Sequence, residues 1–155
     1  MRSGGVFRRG FTLAEMVVVV VVIGTLAVIA VPRLSNSIAL HRVQAAGRRI
    51  VVDLAFAQRE AKTSNVAQTV IFHPALDRYI FPTIPHPDHP LLNYRVSLWE
   101  EPYSAEIVSV DFGGDNRIIF DVFGVPDSGG SVVISVGNLV RTITVDADTG
   151  KASVP

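Results

Sequence analysis

Residues 16–31 form an unbroken apolar run, MVVVVVVIGTLAVIAV, with Glu15 before it and Pro32-Arg33 after it. Extended back to Phe11, the stretch is twenty-one residues, which at a helical rise of ~1.5 Å per residue reaches the ~30 Å of a bilayer core. Seven consecutive β-branched residues, 17–23, would suit a buried strand, but a run of sixteen far exceeds the ~4–8 residues a strand uses. In lipid, a lone segment satisfies its backbone only as a helix. Eight valines, two isoleucines and one leucine at roughly −0.3 to −0.6 kcal/mol each outweigh the cost of one terminal carboxylate. The pattern predicts a transmembrane helix over 11–31. Pro32 lacks an amide donor and crowds the carbonyl of Val28, so a kink or a melted turn is expected there, or simply the end of the membrane helix.

Beyond Pro32 the period is helical. Val43, Ala46, Ile50, Leu54, Ala57 and Ala61 recur at spacings of three or four, while Arg42, Gln44, Arg48, Arg49, Gln58, Arg59 and Lys62 fill much of the remaining surface. This predicts an amphipathic stalk helix over 32–65 whose polar face is solvated and whose apolar face needs a partner. Thr63-Ser64-Asn65 are turn formers and end it.

From residue 66 the pattern shifts to short β-runs. Runs 66–73 and 77–81 predict a hairpin through Pro74-Ala75-Leu76, and 106–112 with 116–121 another across Gly113-Gly114-Asp115. A third pairs 131–136 with 139–145 through Gly137-Asn138, a strong two-residue turn signal. Opposing 136 to 139, 134 to 141 and 132 to 143 gathers Val132, Ile134, Val136, Leu139 and Ile143 on one face, with only Arg141 breaking it. A last strand, 151–154, follows the Asp148-Thr149-Gly150 turn. The expected fold class is α+β: a long N-terminal helix, half membrane and half amphipathic, packed on an antiparallel β-sheet domain of residues 66–155.

The chain has 155 residues, 48% hydrophobic and 18% charged, with a mean hydropathy of +0.38. That length allows one small domain and an extra element. Fourteen basic and fourteen acidic groups cancel, which gives no global attraction to nucleic acid or acidic membranes. Their distribution is uneven: residues 1–10 carry +3, residues 11–65 carry +3 and residues 66–155 carry −6. The absence of cysteine removes disulfides, thiolate zinc sites and a cysteine nucleophile. Arg2, Arg8 and Arg9 precede the apolar run, so the positive-inside tendency keeps them cytoplasmic and places everything after Pro32 outside the inner membrane.

The junction Arg8-Arg9-Gly10-Phe11-Thr12-Leu13-Ala14-Glu15 sets a glycine before a phenylalanine and a glutamate four residues after it. Three descriptions compete for it. A secretory signal peptide cut after Ala30 fits the basic start and apolar stretch, but the run is long for such a signal and is preceded by an acid. Thr12-Leu13-Ala14-Glu15 also fits a capping box at a helix start. The whole junction resembles the class III signal of type IV prepilins and pseudopilins. That resemblance implies cleavage between Gly10 and Phe11 by a prepilin peptidase and N-methylation of Phe11, with the apolar helix retained. Glu15, one helical turn after Phe11, can then neutralise the new amine of its own or a neighbouring chain and set the register of a filament. A proline near position 32 is also common in these proteins.

Residues 54–61, LAFAQREA, strand 66–72, Ile118-Ile119-Phe120 before Gly124, and Arg141-Thr142-Ile143-Thr144-Val145 with Thr149-Gly150-Lys151 resemble the GspH/FimT family of minor pseudopilins and minor pilins. Segment 82–105 has no counterpart in that pattern. The family implies a structural subunit of a type II secretion system, assembling through its N-terminal helix into a periplasmic pseudopilus. Its partners are the prepilin peptidase, other pseudopilins or pilins, the inner membrane and secretion cargo. The alternatives are a FimT-like minor pilin of a type IV pilus that takes up DNA, and an anchored or secreted periplasmic β-domain outside any filament. Nucleic acid suits the −6 of residues 66–155 poorly.

Other constellations carry little chemistry. The proline-rich PTIPHPDHP, 82–90, predicts a stiff extended loop at a tip, and its His86, Asp88 and His89 lack a fourth metal ligand other than distant His73. Asp127-Ser128-Gly129 and Asp148-Thr149-Gly150 have the form of aspartic-protease triplets, yet only five residues follow Gly150, so both are expected as turns. Asp146-Ala147-Asp148 is too near the end for a calcium loop. No catalytic residue, metal or cofactor is expected.

Overall fold

The computed structural model describes residues 10–86 and 89–154, with side chains throughout these except 29–34. The leader residues 1–9 and the metal-capable Asp88 lie outside the described residues; at Pro32 the backbone stays helical, so the melted turn or helix end expected there does not form. The chain divides into two compact units, Met1–Ser37 and Ile38–Pro155. A single helix, α1 (Leu13–Ser64), contributes to both.

In the first unit, α1 is apolar on every side. Leu13, Met16, each valine from 17 to 22, Ile23, Leu26 and Val28 are all exposed. A helix that is hydrophobic all round is one made to be covered, by lipid or by other helices. Among the described residues no helix is long and apolar enough to cross a membrane; the described side chains of the apolar run stop at Val28.

In the second unit, the amphipathic stripe is buried as its spacing demands: Val43, Ala46, Ile50, Leu54, Ala57 and Ala61 all lie in the core. The helix ends where turn formers compete with it. The hydroxyls of Thr63 and Ser64 donate to the carbonyls of Arg59 and Glu60, at 2.9 and 2.7 Å, and Asn65 turns left-handed at φ 55°.

Eight strands follow: β1 (Gln68–His73), β2 (Arg78–Pro85), β3 (Asn93–Ser97), β4 (Glu106–Asp111), β5 (Arg117–Phe120), β6 (Gly130–Val136), β7 (Leu139–Val145) and β8 (Ala152–Ser153). They form two four-stranded antiparallel sheets, in the orders β3-β2-β1-β5 and β4-β6-β7-β8, where the sequence pattern predicts one. The core is Phe72, Tyr79, Phe81, Ile118 and Phe120 from the first sheet, Ile107, Val132, Ile134 and Ile143 from the second, and the stripe of α1.

Two hairpins form as expected. β1 and β2 join through a 3-10 turn at Pro74–Leu76, and β6 pairs β7 with Val136 opposite Leu139, Ile134 opposite Arg141 and Val132 opposite Ile143. A short β8 closes the second sheet on β7.

The hairpin expected over 106–121 does not form. Phe112 and Asp115 make one isolated bridge, but β4 pairs β6 while β5 pairs β1. The Gly113-Gly114 turn is therefore the crossing between sheets. Each strand is claimed by a better apolar partner: Ile118 stands opposite Val70, and Ile107 opposite Ile134. Gly130 lets β6 enter beside the end of β4, since a Cβ there would stand 2.1 Å from the Asp111 carbonyl oxygen.

The described parts of segment 82–105 hold more strand than its prolines suggest. β2 continues through Pro82 to Pro85, with a register irregularity between Phe81 and Pro85 that accommodates the missing amides. β3 returns beside it, with Val96 and Leu98 buried.

Candidate functional site

The start of α1 is built around Thr12. Its hydroxyl oxygen accepts the Glu15 amide at 3.2 Å and its carbonyl accepts the Met16 amide at 3.2 Å, so Thr12 is the N-cap and Glu15 stands in the first turn. This is half of the expected capping box; no hydrogen bond or ion pair to the Glu15 carboxylate is present among the described residues. A negative charge in the first turn complements the helix dipole. Phe11 immediately precedes the cap and is 74% exposed.

Gly10 is instructive because nothing in the fold requires it. A Cβ at that position would meet no atom within 4 Å among the described residues. Gly10, Phe11 and Glu15 are thus brought together, exposed, at one helix end.

The remaining sequence candidates separate. The rings of His86 and His89 approach to 5.6 Å between centroids, with His86 also 6.0 Å from Tyr94. Among the described residues no group of three His, Asp or Glu is placed to hold a metal. The Asp127 carboxylate accepts the Ile119 amide at 3.0 Å and guards the β5 edge. Asp146 accepts from the Thr149 hydroxyl, the Thr149 amide and the Asp148 amide, at 2.6, 2.8 and 3.2 Å. These bonds, the Thr149 hydroxyl first, hold its carboxyl below the usual range. The Asp148-Thr149-Gly150 triplet therefore serves its own turn, and Asp127 is tied to β5. Arg48, Gln44, Arg141 and Val154 line one shallow cleft of ≈220 Å³, which brings together two guanidinium groups distant in sequence.

One polar site escapes the sequence reading. Asp53 is buried on the apolar stripe, where its carboxylate oxygen Oδ2 accepts the Tyr79 hydroxyl at 2.5 Å and Arg49 Nε at 2.8 Å. Arg49 Nη2 donates to the Tyr94 hydroxyl. Burial raises the Asp53 carboxyl above the ordinary carboxylate range, against the pull of Tyr79 and Arg49 toward the charged form. Burial, then the Asp53 charge, pushes the Tyr79 hydroxyl up as well. Burial opposes the Arg49 charge, but the adjacent Asp53 carboxylate more than offsets it and holds the guanidinium above its usual value. The signal for this site was the spacing itself: Asp53 stands three after Ile50 and four before Ala57, on the stripe, with Arg49 four residues earlier. Arg49 and Gln58, expected on a solvated face, instead turn inward. Gln58 Nε2 donates to the carbonyls of Gly124 and Thr149, at 2.7 and 2.6 Å, and ties two loops to the helix.

Residues 7–31 match the prokaryotic N-terminal methylation motif. No curated protein and no solved structure matches the chain. The motif spans Gly10, Phe11, Glu15 and the apolar run, and it supports a type IV pilin- or pseudopilin-like protein. Such a signal implies processing by a prepilin peptidase, assembly with other pilins and anchoring in a membrane through the N-terminal helix.

Proposed function

We propose that this chain is a minor pseudopilin of the GspH/FimT class, a structural subunit of a type II secretion system and not an enzyme. A membrane peptidase cuts between Gly10 and Phe11, the new Phe11 amine is methylated, and residues 11–31 remain as a single pass through the inner membrane with residues 66–155 in the periplasm. The observation that carries this reading is a glycine that the fold does not need, placed before a capped helix that is apolar on every side. The segments that resemble the family support the class, since Leu54, Ala57, Phe72, Ile118, Phe120 and Ile143 all lie in the core.

Cleavage creates a positive amine at the positive end of the helix dipole, an unfavourable placement. Glu15 offsets it within the chain or from a neighbour, and pairing between neighbours sets the axial register of the assembly. Removal of residues 1–10 takes three arginines and leaves eleven basic and fourteen acidic groups, a mature charge of −3. Mass spectrometry of the membrane-extracted protein tests the reading. A chain beginning at methylated Phe11 is the expected result; a chain beginning at Val31 overturns it in favour of secretion.

The cleft that joins Arg48 and Arg141 favours a second reading, a FimT-like minor pilin that takes up DNA. Two guanidinium groups beside a region of −6 fall short of the several phosphate contacts that DNA affinity needs. Salt-sensitive binding of DNA by the full chain in detergent, lost in Arg48→Glu and Arg141→Glu, would promote this reading over the first.

A further inference from the structure

The two edges of the second sheet are treated differently. On β4 the Asp77 carboxylate accepts the Ile107 amide at 2.7 Å and the register breaks between Ile107 and Ser109, so that edge is plugged and irregular. On β7 the edge is covered by β8, which pairs only with Thr144 and Val145. Among the described residues no strand lies beside Leu139 to Ile143 on that side.

The turn decides which backbone groups this open stretch presents. Val136 stands opposite Leu139 across the two-residue Gly137-Asn138 turn, with Gly137 at φ 58°, and such a turn closes on a hydrogen-bonded pair. Alternation then directs the amides and carbonyls of Leu139, Arg141 and Ile143 toward β6, and those of Val140 and Thr142 outward. Thr144 falls in the outward set and meets Ser153 of β8. Val140 and Thr142 therefore continue a ladder that β8 begins and does not complete.

Side chains add a charge requirement. Arg141 stands opposite Ile134, on the face turned to the core, and shares the ≈220 Å³ cleft with Arg48, Gln44 and Val154. Val154 is the residue after the last of β8, so the cleft opens where β8 stops. Neither guanidinium makes an ion pair among the described residues. One inward cation guards an edge against apolar strands. Two cations at one cleft, beside free backbone groups, also select: they admit a strand that brings a carboxylate on its inner face. On the outer face Val140, 53% exposed, and Thr142 suit β-branched neighbours.

We propose that the β7 edge takes up an extended segment of a different protein, with Asp or Glu at the residue opposite Arg141 and β-branched residues on either side of it. The segment pairs with Val140 and Thr142 in line with β8, and its carboxylate lies between Arg141 and Arg48. A second copy of this chain does not fit. Its β4 and β5 edges are closed by Asp77 and Asp127, its β3 brings Arg95 in place of an acid, and two β7 edges would join their arginines with no acid between them. Nucleic acid has no peptide groups to extend the ladder. Such recruitment goes beyond the role of a structural subunit, and it stands whether or not the chain is cut at Gly10.

Photocrosslinking of the full-length chain in its native host tests this. With Val140 replaced by benzoylphenylalanine, irradiation is expected to give an adduct with a different protein. Mass spectrometry of the joined peptides should place the link beside an Asp or Glu flanked by β-branched residues. Arg141→Glu is expected to cut the yield about tenfold or more, and Arg141→Lys to keep most of it. Exchanging the partner's acid for lysine should restore the adduct with Arg141→Glu. Thr142→Pro removes one outward amide, a change that an edge strand tolerates, and should abolish the adduct with the urea midpoint of the detergent-purified chain unchanged. If that variant unfolds, the charge exchange decides alone. No adduct, an adduct that survives Arg141→Glu, a joined segment without an acid, or adducts only to a second copy or to nucleic acid would each overturn the proposal.

Discussion

Glu15 and Asp53 are two carboxylates among the apolar residues of one helix, and they differ in how the chain satisfies them. Asp53 is enclosed by this chain's own Tyr79 and Arg49, within a stripe covered by two sheets. Glu15 is exposed among Phe11, Leu13 and Met16, which are exposed as well. The outer half of α1 therefore completes its interactions by folding, whereas the inner half can complete them only with lipid and other chains. Folding and assembly are separated along a single element, so substitutions that disturb one should leave the other nearly intact.

The sharpest break is at Gly10. Gly10→Val meets no atom of the fold, so the thermal stability of the second unit is expected to stay within about 0.5 kcal/mol. Processing is expected to be abolished, seen as accumulation of a precursor that retains residues 1–10. Normal maturation of this variant would return Gly10 to an incidental loop residue and remove the main support for the proposed function.

The mirror experiment is Asp53→Ala. It leaves the buried Tyr79 hydroxyl without its acceptor and the Arg49 guanidinium without its counter-charge. Leaving a buried donor without its acceptor typically costs about 1–3 kcal/mol, read as a shift in the urea midpoint of the full chain in detergent, while cleavage at Gly10 proceeds. Val20 and Val52, 68% and 62% exposed, then test whether equal exposure has equal meaning in the two halves. Val20→Asp places a charge in the membrane segment at about 2.5–3.5 kcal/mol and should weaken insertion. Val52→Asp faces water and should change stability by no more than about 0.5 kcal/mol.

The same division governs how much of the molecule was legible in the sequence. Period alone recovers the apolar run, the stripe from Val43 to Ala61 and the register of the 131–145 hairpin, because each depends on local spacing. The separation into two sheets was not legible, since the Gly113-Gly114 turn between two β-runs reads as a hairpin whichever partners those runs choose. Prolines concealed β3 for a similar reason: local chemistry argued against a ladder that a register irregularity makes tolerable. At the site, Gly10, Phe11 and Glu15 are recognisable because they lie in one contiguous motif over residues 7–31. The Arg49–Asp53–Tyr79 group depends on contacts 26 residues apart along the chain, and only the position of Asp53 on the stripe hinted at it.

The finest test of the comparison is in pH. Burial raises the Asp53 carboxyl above its ordinary value, so between the unfolded aspartate pKa of about 3.9 and the raised native one, the folded chain binds more protons than the unfolded chain. Stability must then fall as pH rises through that window, and be regained as pH is lowered into it. Asp146 has the opposite sign. Its depressed pKa gives stability that is present above the unfolded value and lost as pH falls through the native one, so its window lies below the ordinary aspartate pKa and that of Asp53 above it. Asp53→Asn keeps an oxygen for Tyr79 and Arg49 but cannot titrate. The difference in urea midpoint between the full chain and this variant should therefore move in favour of the parent as pH drops from neutral into the Asp53 window. Glu15→Gln, at an exposed position in the first turn of α1, should leave that curve unchanged. A difference that does not vary with pH would show that the carboxylate is satisfied as fully by Tyr79 and Arg49 as it is by water.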